Sequence, residues 1–214
     1  MRRLPLFLAL LSLVTASLAA RADPPPTRTV HYEIRRNGDP IGSHGVEFAR
    51  DGERLTVHHR IEIRVSVLAL EAYRYTMDSR ETWEGDRLLG LIASTDRNGD
   101  ALTVFARAGG EAIRIRGPNG RAEVPAEAVP SSPQHFVFDR PRPVMVEAED
   151  GRVLQVRTSG PTTESLTLGG RSVACRRVRV TGDLDATLWY GPSGILVKKQ
   201  LTAPDGSTIV TVLR

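Results

Sequence analysis

Leu55-Thr56-Val57-His58-His59-Arg60-Ile61-Glu62-Ile63-Arg64-Val65-Ser66-Val67 is the run that decides the fold. Successive side chains of an extended chain point to opposite sides, so Leu55, Val57, His59, Ile61, Ile63, Val65 and Val67 share one face. Thr56, His58, Arg60, Glu62, Arg64 and Ser66 occupy the other. Alternation sustained from 55 to 67 makes a strand of roughly 43 Å at about 3.3 Å per residue, far longer than the usual strand. A flat sheet of such strands is hard to cover in a small chain. The run therefore predicts strong twist and curvature, with one apolar face and one mixed-charge, solvated face.

The same rhythm continues on both sides. Downstream, a partner strand over 72–83 carries Tyr73, Tyr75 and Met77 on one face, a parity that Trp83 continues. Upstream, Val30, Tyr32 and Ile34 alternate with polar residues. Asn37-Gly38 then gives a hairpin signal, Val46 and Phe48 return, and Asp51-Gly52 turns the chain again. Beyond 83, the pairs Gly85-Asp86, Asn98-Gly99, Gly109-Gly110 and Asn119-Gly120 separate expected strands at 88–95, 102–107, 112–116 and 121–124. Pro130, Pro133, Pro141 and Pro143 then interrupt the meander, so 126–143 is expected as a surface crossover or lid. Strands resume at 153–158, 165–168, 172–180, 184–190, 195–202 and 208–213. The expected fold is all-β: a large, strongly curved antiparallel sheet of about a dozen strands, an open barrel or β-clam.

Composition agrees with a single globular unit. The 214 residues are 40% hydrophobic, 25% charged and 5% aromatic, which excludes a disordered acidic tail, a collagen and a multispan membrane protein. Arg2 and Arg3, an apolar run to Leu18 and the small residues Ala20 and Ala22 have the layout of a signal peptide cleaved after Ala22. Residues 23–28, with three prolines, follow as a stiff leader, and 29–214 is expected as one antiparallel β domain exported to the periplasm. The apolar run is too short to span a bilayer, so no transmembrane segment is expected in the mature chain. Removing Arg2, Arg3 and Arg21 from the 29 basic side chains leaves 26 against 25 acids, so the formal +4 falls to +1. The high isoelectric point therefore does not mark a nucleic-acid binder. Nearly all the bases are Arg, the exceptions being Lys198 and Lys199.

Local motifs for chemistry are scarce. There is no G-x-S-x-G elbow, phosphate loop or H-E-x-x-H. Asp96-Arg97-Asn98-Gly99-Asp100 starts like a calcium loop, but its Gly is displaced and Arg107 stands where the bidentate Glu belongs; a tight hairpin explains the same residues. His58 and His59 point to opposite faces and cannot share one metal, whereas His59 and His44 can meet across strands. Glu81 and Glu84 flank a strand end beside Trp83, where carboxylates are ordinarily solvated. Cys175 cannot form an intramolecular disulfide and lies in a strand-like run as a small, partly buried residue. Neither a catalytic residue, a metal site nor a cofactor is assigned.

Six ordered stretches carry a family likeness: 32–42, Tyr73-Arg74-Tyr75, Glu81-Thr82-Trp83-Glu84-Gly85, Thr95-Asp96-Arg97-Asn98-Gly99, Leu188-Trp189-Tyr190 and Asp205-Gly206-Ser207-Thr208-Ile209. Together they resemble domain of unknown function 6134, a family of exported proteobacterial proteins, over nearly all of the mature chain. The segment Pro130-Ser131-Ser132-Pro133-Gln134-His135 departs from the aromatic-containing loop of that family. More loosely, the arrangement is similar to the half-barrel of periplasmic lipoprotein carriers, whose concave apolar face holds an acyl chain.

Two readings of the concave face follow. His59, Tyr73, Tyr75, Met77, Trp83 and Trp189 either line a cavity for a lipid-like or other hydrophobic ligand, or close a dry core against the Pro-rich segment. The expected function is accordingly a periplasmic binding protein without catalytic activity. The alternative is a cell-envelope interaction or assembly protein acting through exposed strands, and an enzyme without a local motif comes third.

Overall fold

The computed structural model describes residues 27–67, 70–131 and 133–214. Fifteen strands form one sheet. The first eight are β1 (Arg28–Arg36), β2 (Asp39–Asp51), β3 (Arg54–Val67), β4 (Leu70–Glu84), β5 (Arg87–Arg97), β6 (Asp100–Gly109), β7 (Ala112–Gly117) and β8 (Gly120–Pro125). The remainder are β9 (Val129–Pro130), β10 (Val144–Val146), β11 (Val153–Leu168), β12 (Arg171–Gly182), β13 (Ala186–Tyr190), β14 (Leu196–Thr202) and β15 (Thr208–Leu213). The expected signal peptide and most of the leader lie outside the described residues.

The order across the sheet runs from β8 back to β1, then from β15 back to β9, so the first and last strands of the chain pair at its middle. Every neighbouring pair is antiparallel except β9 with β10. Strands β8 and β9, the two ends of the order, are not paired with each other, so the sheet is open. The turn chemistry is as read: Asn37 and Gly38 have φ of 50° and 98°, Asn98 and Gly99 have φ of 54° and 95°, the left-handed pair of a type I′ hairpin. At the second turn Gly99 N donates to Asp96 Oδ1 and Arg74 N to Asn98 Oδ1, a hairpin use of the residues that resembled a calcium loop.

Two expectations change. The strands expected at 153–158 and 165–168 are one, β11, whose register against β12 shifts between Ser159 and Thr162. Gly160 makes that shift fit: its φ is +109°, and a Cβ there would stand 2.6 Å from the Arg177 carbonyl oxygen. The second change is the Pro-rich segment, which is not a surface crossover. Ala128, Val129, Ser131, Gln134, Val137, Phe138 and Arg142 are all buried. The chain from 126 to 149 runs through the concavity as a plug.

Prolines suggested a solvated loop because they cannot join a ladder. Inside the sheet, the plug's backbone groups find other partners. Phe136 N donates to Gly194 O, Gln134 O accepts from Leu196 N, and Pro133 O accepts from the Tyr190 hydroxyl. Arg142, 0% exposed, donates through Nε to Val137 O at 2.8 Å, through Nη1 to Glu127 O at 3.0 Å and through Nη2 to Asp86 Oδ2 at 2.5 Å. One guanidinium thus ties the start and the middle of the plug to the β4–β5 turn.

The sheet's two ends meet across the concave side. Asn119 Nδ2, in the β7–β8 turn, donates to Asp150 O at 3.1 Å, and Arg97 at the end of β5 pairs with Glu149 at 2.8 Å. A Cβ on Gly117 would come within 3.0 Å of Asp150 O. The main core cluster draws on β1–β8, the plug and β11–β14. The decisive run divides along its length: Leu55, Val57 and His59 are buried, while Ile61, Ile63 and Val65 are only half-buried. The plug covers the first half of that face and leaves the second half facing open space.

Candidate functional site

That open space is a cavity of about 620 Å³ enclosed by β1–β4, β14, β15 and the plug, a size suited to a small-molecule ligand. Ile34, Ile41, Ile61, Ile63, Met77 and Leu201 supply most of its apolar wall. Burial is graded along the strands. His44, His59, Ser79 and Glu81 are nearly inaccessible at the inner end, whereas Arg36 and Asp205, which pair with each other, are substantially exposed at the mouth.

Four of the residues expected from sequence, His59, Tyr73, Tyr75 and Met77, line this space together, because they share a face on the adjacent strands β3 and β4. Trp83 and Trp189 do not. Trp83 is wholly buried below the inner end, its ring 4.6 Å from and edge-on to His135. Trp189 packs with Cys175 and Val197 in a separate cluster, under the Lys198 ammonium. Burial and then the Glu164 carboxylate push the Cys175 thiol pKa up, which keeps the sulfur protonated.

The inner end carries a polar chain that the sequence reading only half anticipated. His44 and His59 face each other from β2 and β3, with His44 Nε2 3.1 Å from His59 Nδ1. His59 Nε2 lies 3.2 Å from Glu81 Oε1, though out of line for a good hydrogen bond. Glu81 Oε2 in turn accepts from Trp83 Nε1 at 2.8 Å. Glu81 was expected as a solvated carboxylate at a strand end; instead it is buried, because the plug covers that end of β4. Glu84, its sequence partner, is exposed as expected.

His59 faces Ser79 in register on the neighbouring strand, and which of His44 and His59 donates in their contact is set by the tautomers of the two rings. Burial holds the His44 pKa well below the ordinary histidine range, and His59 and Lys199 add to the effect, so His44 is neutral at neutral pH. Among the described residues no group of three or more His, Cys, Asp or Glu is placed to hold a metal ion.

Lys199 is the lining residue that sequence reasoning missed. In β14, Trp189 faces Lys198 and Tyr190 faces Leu196, so Val197 is an extra, unpaired residue, a β-bulge. Simple alternation from the core residue Leu196 points Lys198 inwards. The bulge instead turns Lys198 out over Trp189 and places Lys199 in the cavity wall. No sequence signal marks a bulge at Val197; the rarity of lysine in this Arg-rich chain was the available hint.

Comparison with known proteins fits this picture at the level of the whole domain. Neither a curated protein nor a solved structure gave a significant match to the chain. A family model, domain of unknown function 6134, matches residues 32–214. That span takes in every strand from β2 to β15 and all the cavity-lining residues, and the protein belongs to the domain of unknown function 6134 family.

Proposed function

We propose that the protein is a periplasmic binding protein that holds a lipid-like or other hydrophobic ligand in the cavity between the curved sheet and its plug. The observation that carries this reading is the 620 Å³ space itself, walled by Ile, Val, Met and Leu side chains that a dry core would have brought into contact. A graded wall, apolar along its length with polar groups at the inner end, suits an amphiphile with a single apolar tail. The loose similarity to periplasmic lipoprotein carriers points the same way, as an analogy of shape alone.

The edges of the sheet speak against the assembly alternative. Strand β8 is six residues long, ends in Pro125 and displays Arg121 and Glu123, while β9 has two residues. Short, charged and proline-ended edges discourage the addition of a further strand.

The test is to purify residues 23–214 from an exporting host, extract with organic solvent and analyse the extract by mass spectrometry, alongside titration with a neutral fluorescent apolar probe. A co-purified amphiphile, or saturable probe binding that Ile63→Glu abolishes in a folded protein, supports the reading. A clean extract with no probe binding overturns it.

A further inference from the structure

Four acids and two bases line the cavity among the described residues, and five of these six charges are already engaged. Glu81 accepts from Trp83 and lies beside His59. Glu147 accepts from the Ser131 hydroxyl, Glu149 pairs with Arg97, and Asp205 holds both Arg36 and Ser207 at the mouth. Lys199 alone among the six has neither a hydrogen bond nor an ion pair.

Its position makes that isolation consequential. Lys199, itself half-buried, sits in register with Thr211 of β15, which lies opposite Ile34 of β1, and both of those neighbours are buried. Burial pulls its pKa below the ordinary lysine range, and Glu147, too far for an ion pair, opposes the shift. A half-buried ammonium with no protein counter-ion leaves its charge open to an anionic ligand, and the bulge at Val197 is what turns it towards the cavity.

We propose that Lys199 is the headgroup site of the cavity, binding the carboxylate of a single-chain fatty acid whose tail lies along Ile34, Ile61, Ile63 and Met77. The inference rests on the cavity reading above and specifies its ligand class. The carboxylate enters first and pairs with the ammonium, with Thr211 beside it as a hydroxyl neighbour. Arg36 is the weaker candidate, because Asp205 already balances its charge and Ser207 takes its Nε–H. Glu81 and Glu147 remain on their own partners, so the ligand's charge meets one free cation.

Displacement of a neutral fluorescent probe by dodecanoate, dodecanol and dodecylamine tests this on the unaltered protein. Dodecanoate is expected to displace the probe at least tenfold more effectively than dodecanol, with dodecylamine the weakest. Lys199→Met is expected to erase the preference for the acid while retaining probe and alcohol binding, which also reports that the variant is folded. Equal affinity for acid and alcohol in the wild type overturns the headgroup site but leaves the cavity reading standing. Loss of the preference in Arg36→Gln and not in Lys199→Met places the head at the mouth and overturns the proposal. Binding of none of the amphiphiles and no probe overturns both readings.

Discussion

His135 makes the plug acid-sensitive, and the size of the effect follows from its surroundings. Its ring stands edge-on to Trp83 at 4.6 Å, and both ring nitrogens are buried without a hydrogen-bond partner. Burial lowers its pKa from 6.5 to about 4; Glu81 opposes the shift, while Arg50, His59 and Arg142 add to it. The folded protein therefore binds this proton less readily than the unfolded chain. The stability that depends on a neutral His135 is fully present above pH 6.5 and is lost as pH falls towards 4. Linkage with those two values gives a loss of about 2.5 kcal/mol by pH 4.5 and a limit of about 3.4 kcal/mol at lower pH.

The measurement is urea unfolding of wild type and His135→Phe at intervals from pH 7.5 to 4.5. Phenylalanine keeps an aromatic edge against Trp83 and removes the titration. Carboxylates and the other histidines contribute equally to both proteins, so only the difference between the two curves is informative. Wild type is expected to lose about 2.5 kcal/mol relative to the variant across this range, about 5–10 °C in melting temperature for a domain of this size. A difference that stays constant with pH refutes the reasoning, since it means that the imidazole is solvated or that the plug opens without cost.

Three further outcomes are expected. Arg142→Met keeps volume but strips the plug of its ties to Val137, Glu127 and Asp86; with Asp86 partly exposed, the loss is mostly that of buried carbonyl partners, about 3 kcal/mol by denaturant unfolding. Limited proteolysis of that variant should cut first within 126–143, and unchanged resistance argues against the plug's dependence on this residue. Trp83→Phe removes the donor to buried Glu81 and should cost about 2–4 kcal/mol in the same assay; a neutral substitution shows that the carboxylate is satisfied by His59 alone. Trp189→Phe should leave probe binding within a factor of two, because Trp189 lies outside the cavity, whereas Tyr75→Glu should weaken it more than tenfold.

Much of the architecture was legible because its causes are local. Alternation from Leu55 to Val67 fixed a long strand with one apolar face, and Asn37-Gly38 and Asn98-Gly99 set hairpins through left-handed φ values that few other residues adopt. The same alternation continued along β4 put Tyr73, Tyr75 and Met77 on the face that His59 shares from β3, and all four line the cavity. Aromatic content misled at Trp83 and Trp189. Parity along a strand says which residues share a face, but not which part of the face is covered or which side of a bulge a residue falls on.

By itself the sequence determined an antiparallel sheet, its hairpin order and the apolar run that lies on its concave side, since each depends on residues adjacent in the chain or one turn apart. Only the tertiary structure decided that the Pro-rich segment enters the concavity, that Glu81 is buried and that Lys199 faces the cavity. Those outcomes depend on contacts between distant segments: Arg142 with Asp86, Gln134 with Leu196, and Asn119 with Asp150. A buried charge or an empty volume is a property of what covers a surface, and the covering segment is far away in sequence. The same apolar face was open to two readings, dry core or cavity; the structure makes it dry under the plug and hollow beyond it.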